Sequence, residues 1–578
     1  MLSQRSTPVK MSQEAANKLP RWSLLSLLVI FAATGFWSTG IWTMRDASSF
    51  GTALAMLTGG PVLWFLPSVA DTPMTSAGPM TGWLSALLIS LFGSSGSGFG
   101  FLSDIAATRL AACLWFGITT AALWYGTWYL ARRPEAQPIA FAFGGEASPR
   151  DYGRVVADSA VLFFVATFGI VTRQHEALPD TALLAMGAIN FYGLTLALRR
   201  PLRGCFIAGL ASGAAVVSST LFAGVWLLAI SLLAFSLIRA YQDTRLRRAA
   251  YTVLGAAAGF LPWPVLAFAA APDAAPSWFA LWEAEQISHF GLAGTDTYFW
   301  FARNAVWYLC PVWPFVLWAL YSWRRQLRRT HLLLPLVLCA AGVPAVVFSS
   351  FQASDTIFLT FLPLLSVLAA FGLVTVRRSH ENVLDWFSLM TFSLGTLAAW
   401  AYWFAWLTSF APKMAESVQM LAPGSSPVFD SGFVLALLTT AMWFGFVGWR
   451  LTHRPVVIWR GPWLSAAGMT AVAAAVIGLF HTGIDINRSY VPVIEFVSGT
   501  LVKAGFSETD CAAGEGFTPG LQALFQYYGG IRVLRHAAPG SCRFTITRGR
   551  SDRFAPEALA RPASRPHTDE TFIVTLNR

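Results

Sequence analysis

Arg45 and Asp46 stand side by side directly after a long apolar run. A carboxylate at a membrane edge can orient a hydroxyl and take its proton, and a neighbouring cation can hold a phosphate. The pair therefore has the makings of a polar site that a lipid-linked molecule could reach. A second carboxylate, Asp180, follows Pro179 at the start of another apolar run. Each has a plain structural alternative, because an Asp before an apolar periodic segment also serves as a helix cap.

The elements that must position these residues are membrane helices. Of the 578 residues 55% are hydrophobic and only 12% charged, against about 25% charged in soluble domains. The net charge of +11 is nearly all Arg. The positive-inside rule accounts for that excess, so a nucleic-acid partner is not expected and membrane lipids are. Candidate spans lie near 22–44, 105–131, 156–172, 181–198, 204–217, 219–238, 249–269, 303–322, 331–349, 357–376, 385–409, 432–449 and 461–480. Arg clusters at alternate ends imply a multi-pass membrane protein with a cytoplasmic N-terminus. Thirteen crossings then place the C-terminus outside the cytoplasm.

Residues 1–481 read as the membrane domain and 482–578 as a small α+β periplasmic domain. The tail is polar, helix-like at 491–504 and 518–528, and strand-like at 531–534, 544–547 and 572–576. Four cysteines sit in spans, while Cys511 and Cys542 are in the tail. A disulfide between these two fits an oxidising compartment and would stabilise the tail by roughly 3–4 kcal/mol. No zinc-type cysteine spacing and no phosphate-binding glycine loop is present.

The loop between the first two spans, 44–103, holds two short amphipathic segments. Phe50, Ala53, Leu54 and Leu57 share one helical face, with Asp46 or Ser48 as the cap and Gly59-Gly60 as the stop. After Pro79, a stripe of Met80, Trp83, Leu84, Leu87, Leu88 and Leu91 ends at Gly93. At about 20 Å the second helix is too short to span a bilayer, so both are expected to lie in the interface.

The blocks around this loop resemble the GT-C class of polytopic glycosyltransferases, the lipid A aminoarabinose transferase and protein O-mannosyltransferase type. Ala77-Gly78-Pro79-Met80-Thr81-Gly82-Trp83-Leu84, with Leu91-Phe92-Gly93 beyond, is similar to that family's KPPLYYWL…LFG block. Thr108-Arg109-Leu110 looks like the Arg that begins the second span, and Leu178-Pro179-Asp180-Thr181 like the acidic motif opening the fourth. Leu281-Trp282-Glu283-Ala284-Glu285-Gln286 resembles a periplasmic helix of that family. The resemblance covers most of residues 22–380. It implies a GT-C-like, all-α membrane fold with about thirteen spans and two juxtamembrane helices.

There are departures. Gly78 stands where the family has Lys, Ala77 where it has Glu, and Gln286 where some members have a zinc-binding His. The TKG-like motif is matched only by Ser218-Ser219-Thr220, and a later Ser-Lys motif by Ser354-Asp355-Thr356. A divalent metal is compatible with the family, but its zinc ligands are not matched here.

The resemblance implies transfer of a sugar from a polyprenyl-phosphate donor to an acceptor hydroxyl or phosphate on lipid A, a glycan or a protein at the periplasmic face. Asp46 is then the catalytic carboxylate and Asp180 the second. With the lysines missing, phosphate binding falls to Arg45, Arg109, Arg173, His175 and Arg303, unless these merely snorkel to the interface. Glu285 is a substrate-side or structural carboxylate. The alternative is a catalytically degenerate relative serving as a binding or assembly subunit in envelope glycan synthesis. Sparse intramembrane charge and the lack of paired broken-helix repeats speak against a transporter.

Overall fold

The computed structural model describes residues 7–17, 19–36, 40–173, 175–288, 291–340, 342–348, 356–376, 378–453, 458–507, 509–538, 540–550, 559 and 563–577. The Ser354-Asp355 part of the late motif lies outside them.

The chain is mostly helical. α1 (Arg21–Ala33) is followed by the first-loop helices α2 (Met44–Thr58) and α3 (Met80–Phe92), with a two-residue hairpin of β1 (Ser68–Val69) and β2 (Thr72–Pro73) between them. Next come α4 (Asp104–Ala131), α5 (Pro149–Ala166), α6 (Phe168–Arg173), α7 (Pro179–Ala197), α8 (Pro201–Ser218), α9 (Leu221–Leu237) and α10 (Arg239–Gln242). The middle of the chain forms α11 (Arg245–Phe260), α12 (Pro262–Ala270), α13 (Ala275–Ser288), α14 (Thr295–Tyr308), α15 (Val312–Ser322), α16 (Thr330–Cys339) and α17 (Gly342–Val347). α18 (Thr356–Leu373), α19 (Arg378–Thr408), α20 (Pro412–Leu421), α21 (Ser431–Thr452) and α22 (Arg460–Arg488) complete the helical body.

Among the described residues six helices are long and apolar enough to cross a membrane, and α14 with α15, bent by 94°, would make a seventh. Several other apolar helices are shorter, α1 among them. The first expected span, 22–44, differs most. Its helix stops at Ala33, and a new helix begins at Met44. The segment 204–238, interrupted by Ser218, Ser219 and Thr220, is two helices, and the Thr220 hydroxyl caps the second by accepting from the Ala223 amide.

The two first-loop helices form where their spacing predicts. α2 buries Phe50 and Ala53, as its stripe predicts. α3 buries Thr81, Gly82, Ser85, Ala86, Leu88 and Ile89, while Leu87 and Leu91 of its stripe are exposed. In a membrane setting lipid is as apolar as leucine, so small residues give the closer helix contact. A Cβ on Gly82 would lie 2.8 Å from the Met56 methyl.

Beyond α22 the chain continues as α23 (Val491–Lys503), β3 (Ala512–Glu515), α24 (Pro519–Gly529), β4 (Val533–Leu534), β5 (Phe544–Arg550), β6 (Ala563–Ser564) and β7 (Glu570–Leu576). The sheet order is β4-β3-β5-β7-β6. β3 pairs parallel with β4 and β5, Ala512 facing Val533 and Phe544, and β7 runs antiparallel to β5 and β6. Cys511 and Cys542 form a disulfide just ahead of β3 and β5. The short strands β3 and β6 carry no alternating apolar pattern and were not legible in the sequence.

The core of this C-terminal sheet is continuous with the first-loop helices. Phe525, Phe544 and Phe572 pack in one cluster with Ala47, Phe50 and Met56 of α2 and Ile89 of α3. The α2–α24 contact is close: a Cβ on Gly520 would lie 2.5 Å from the Met44 carbonyl, and one on Gly51 would lie 2.2 Å from the Ala523 Cβ. Asp71 in the β1–β2 turn fastens the two parts. Its carboxylate accepts from Gln522 Nε2 (2.8 Å) and from the amides of Arg535 (3.1 Å) and His536 (2.6 Å).

Candidate functional site

The start of α2 is the centre of the site. Thr43, not Asp46 or Ser48, caps the helix, its hydroxyl accepting from the Asp46 amide at 3.2 Å. That leaves the Asp46 carboxylate for other partners. Asp46 is 2% exposed and is bound by both terminal nitrogens of Arg109 on α4, at 2.9 and 2.7 Å. Such a planar two-bond pair is the strong form of an ion pair. The Ala177 amide adds a third donor to Asp46 at 3.3 Å, and Arg109 also reaches the Gly40 carbonyl at 3.0 Å.

Residues 173–180, between α6 and α7, bring the remaining charges. Arg173 donates to Glu176 at 3.4 Å, and the Thr43 hydroxyl donates to the same carboxylate oxygen at 3.4 Å. Burial and then the nearby Asp46 anion push the Glu176 carboxyl up to about 7, despite Arg173 and Arg109. A buried carboxyl poised near neutrality is the usual form of a general base. Asp180 lies in the first turn of α7, behind the N-cap Leu178, and pairs with Arg45.

Two residues reach in from the C-terminal part. Asp485 of α22 accepts from the Trp42 indole and from the Gly40 amide, so it holds the segment before α2 whose Gly40 carbonyl backs Arg109. Tyr528, at the end of α24, is within electrostatic reach of Asp485, Arg109 and Asp46. Burial and Asp485 push its phenol up to about 12, so it stays a neutral hydrogen-bond donor.

Of the candidates read from the sequence, Arg45, Asp46, Arg109, Arg173 and Asp180 gather in this cluster. His175 lies beside it but is turned away: its Nε2 is 2.9 Å from the Phe31 carbonyl, and burial lowers its basicity below the ordinary value. A neutral imidazole wedged against Phe31 is a packing group rather than a phosphate cation. Glu285 is half-buried on α13, and Arg303 is exposed on α14. Neither belongs to the hydrogen-bonded set described above. Glu176, Asp485 and Tyr528 were not singled out from the sequence. Glu176 had a local signal, since it lies among Arg173, His175 and Asp180 between two apolar runs, whereas Asp485 and Tyr528 had none.

The motif departures converge on one junction. The Gly78 amide donates to the Ser219 carbonyl at 3.0 Å, and a Cβ there would lie 2.1 Å from the Val217 carbonyl. Thr81 donates to the Ser218 carbonyl at 3.4 Å. Gln286 accepts from the Leu221 amide and donates to the Thr75 carbonyl, both at 3.0 Å. The positions where the resembling family has Lys and His here lock the first loop to the α8–α9 break and to α13. With both ends of its amide engaged, Gln286 does not fit a zinc ion. Among the described residues no group of three or more His, Cys, Asp or Glu is placed to hold a metal.

Between α1, α4 and α5 lies a largely apolar groove of about 860 Å³. Phe36 and Cys113 line it, the latter four residues along α4 from Arg109, and Gly117 and Trp124 follow further along that helix. Gly117 has nothing within 4 Å of where a Cβ would stand.

No protein-family model and no curated protein sequence matches the chain. Among solved structures, ArnT from Cupriavidus metallidurans bound to undecaprenyl phosphate is similar with a TM-score of 0.66 at 13% identity, over 96% of this chain and 97% of that one. The apo state of the same protein gives 0.62 at 14% identity, with the same coverage of both chains. At that identity the likeness is one of fold: the chain has the GT-C fold, over nearly its whole length.

Proposed function

We propose that this multi-pass membrane protein is a glycosyltransferase that moves a sugar from a polyprenyl-phosphate donor to an acceptor hydroxyl or phosphate, on lipid A, a glycan or a protein, at the periplasmic face of the inner membrane. The observation that carries the reading is the buried Asp46–Arg109 pair with Glu176 beside it, at the edge of a fold whose solved neighbour holds undecaprenyl phosphate. In this reading the acceptor oxygen attacks the anomeric carbon, and the bond from that carbon to the phosphate oxygen breaks. The phosphate leaves with the electron pair as a stable anion, so it needs cations and donors rather than a strong acid. Arg45 and Arg173 are the more exposed cations of the cluster, and Tyr528 is a neutral donor.

The proton of the acceptor goes to a carboxylate. Asp46 is held by three donors, which makes it the anchoring anion that fixes Arg109 and raises Glu176. Glu176, held by two long bonds from Arg173 and Thr43 and poised near neutrality, suits the role of proton acceptor. The groove beside Arg109 would take a lipid chain. The test is transfer from a synthetic polyprenyl-phosphate sugar by the purified protein, read by mass spectrometry of the products. Asp46→Asn is expected to abolish transfer while the protein still inserts and purifies. Undiminished turnover by that variant would sink the assignment.

One observation favours a second reading, a degenerate GT-C protein acting as a binding or assembly subunit. Gly78, where the family has Lys, is in close backbone contact with Val217, which leaves no room there for a long cationic side chain. Sugar transfer or donor hydrolysis by the purified wild type would exclude this reading.

A further inference from the structure

α8 touches the first loop at its C-terminal end, through Ser218 and Ser219. Its N-terminal end lies 18 residues away, about 27 Å at the helical rise. There α8 and α11 begin side by side. They run parallel in contact at backbone distance, since Cβ atoms on Gly209 and Gly213 would lie 1.9 and 2.1 Å from the Thr252 and Ala256 carbonyls. Gly255 and Gly259 meet Phe206 and Leu210 in the same way, at 2.2 and 2.5 Å. This packing brings four arginines, Arg200, Arg203, Arg247 and Arg248, around one depression of about 590 Å³, with Thr244 and the Pro201-Leu202 turn as the rest of its lining. No carboxylate lines it.

Arg248 is buried and serves as the floor, donating to the Ala197 carbonyl and to the Thr244 hydroxyl, both at 2.8 Å. Arg200, Arg203 and Arg247 are exposed. No side chain caps the start of α8 or of α11, so first-turn amides add to the positive potential. Four like charges converging without an anion repel one another, and a phosphate would relieve that repulsion through the planar donors of arginine. The surroundings point to a lipid phosphate. Leu246 is 80% exposed and Leu254 57%, giving an apolar flank along α11 next to the depression. Arg132 over Trp128 and Arg199 over Tyr129 mark an aromatic belt at the same end of the bundle.

We propose that the Arg200–Arg203–Arg247–Arg248 depression binds the phosphate of an anionic membrane lipid in the leaflet opposite the Asp46 site. The test uses the full-length protein in detergent and native mass spectrometry. Retention of phosphatidylglycerol is compared with that of phosphatidylcholine of the same chains, for wild type and for the triple variant Arg200→Gln, Arg203→Gln, Arg247→Gln. Arg248 is left intact because it supports the fold, and unchanged thermal unfolding of the variant serves as the control. The wild type is expected to prefer phosphatidylglycerol by about ten-fold or more, and the variant to lose that preference. Displacement of phosphatidylglycerol by millimolar inorganic phosphate would overturn the lipid as occupant in favour of a free phosphate. Equal retention of both lipids by wild type, or equal preference in wild type and variant, would overturn the site.

Discussion

At the scale of single residues, the site turns on how three carboxylates differ. Asp46 is fixed by Arg109 and the Ala177 amide, Asp180 is paired with Arg45, and Glu176 is left with one long bond from Arg173 and one from Thr43. Burial and Asp46 raise Glu176 from 4.5 to about 7. A base with that value is competent only when deprotonated, so kcat should rise through about pH 7 as pH increases. Glu176→Gln should lower kcat by about 10²–10⁴-fold and remove that limb of the pH profile. The stability sign runs the other way. Between pH 4.5 and about 7 the folded state keeps a proton that the unfolded chain releases, so stability falls as pH rises through this window. The Gln variant should flatten that slope in thermal unfolding followed against pH. If turnover of Glu176→Gln matched wild type at every pH, the base would have to be sought elsewhere.

At the scale of elements, glycine spacing decides which helices touch and which leave room. Gly117 on α4 faces the groove with open space around it. Gly117→Trp should fill the groove, raise KM for a lipid-linked donor, and leave the unfolding temperature unchanged or higher, since Gly is a poor helix residue by about 1 kcal/mol. An unchanged KM would show that no lipid chain uses this groove. Gly78 is the opposite case. Its Cβ would meet the Val217 carbonyl backbone, which cannot swing aside as a side-chain tip does. Gly78→Ala is expected to destabilise by about 1–3 kcal/mol through overpacking, read as a lower unfolding temperature in detergent. α3 is oriented at the same junction. Its rotation is set by Gly82 against Met56 and by the Gly78 and Thr81 bonds to the α8–α9 break, and leucines facing lipid cost nothing.

At the scale of the molecule, the C-terminal part is a structural partner of the first loop. Its phenylalanines complete the core under α2, Tyr528 faces the site, and Asp71 receives three donors from the tail side. Burial alone would raise the Asp71 carboxyl, but the His536, Arg535 and Gln522 donors outweigh it and hold it below 3.8. The stabilisation is therefore present above pH 3.8 and is lost as pH falls below it. Asp71→Asn should weaken docking by about 0.5–1.5 kcal/mol, since solvent screens a partly exposed carboxylate and Asn keeps one acceptor oxygen. Limited proteolysis of the variant should cut the tail faster at neutral pH, and an unchanged cleavage rate would show that the apolar core alone holds it.

Much of this architecture is written in local chemistry. Long apolar runs require a multi-pass helical body, because backbone polar groups in lipid must be satisfied within a helix. Spacing of Phe50 and Ala53 predicts the buried face of α2, and charges beside apolar ends, taken with the family resemblance, single out Arg45, Asp46, Arg109, Arg173 and Asp180, but equally His175, Glu285 and Arg303, which do not join the cluster. What local chemistry does not contain is which of these meet. Asp46 and Arg109 are 63 positions apart, and their pairing depends on α2 and α4 crossing at one point. Asp485 and Tyr528 come from the far end of the chain, and Glu176 acquires its raised pKa only by being buried next to Asp46. Proximity and burial are properties of the packed molecule, so the residues belong to the sequence while their roles belong to the tertiary structure.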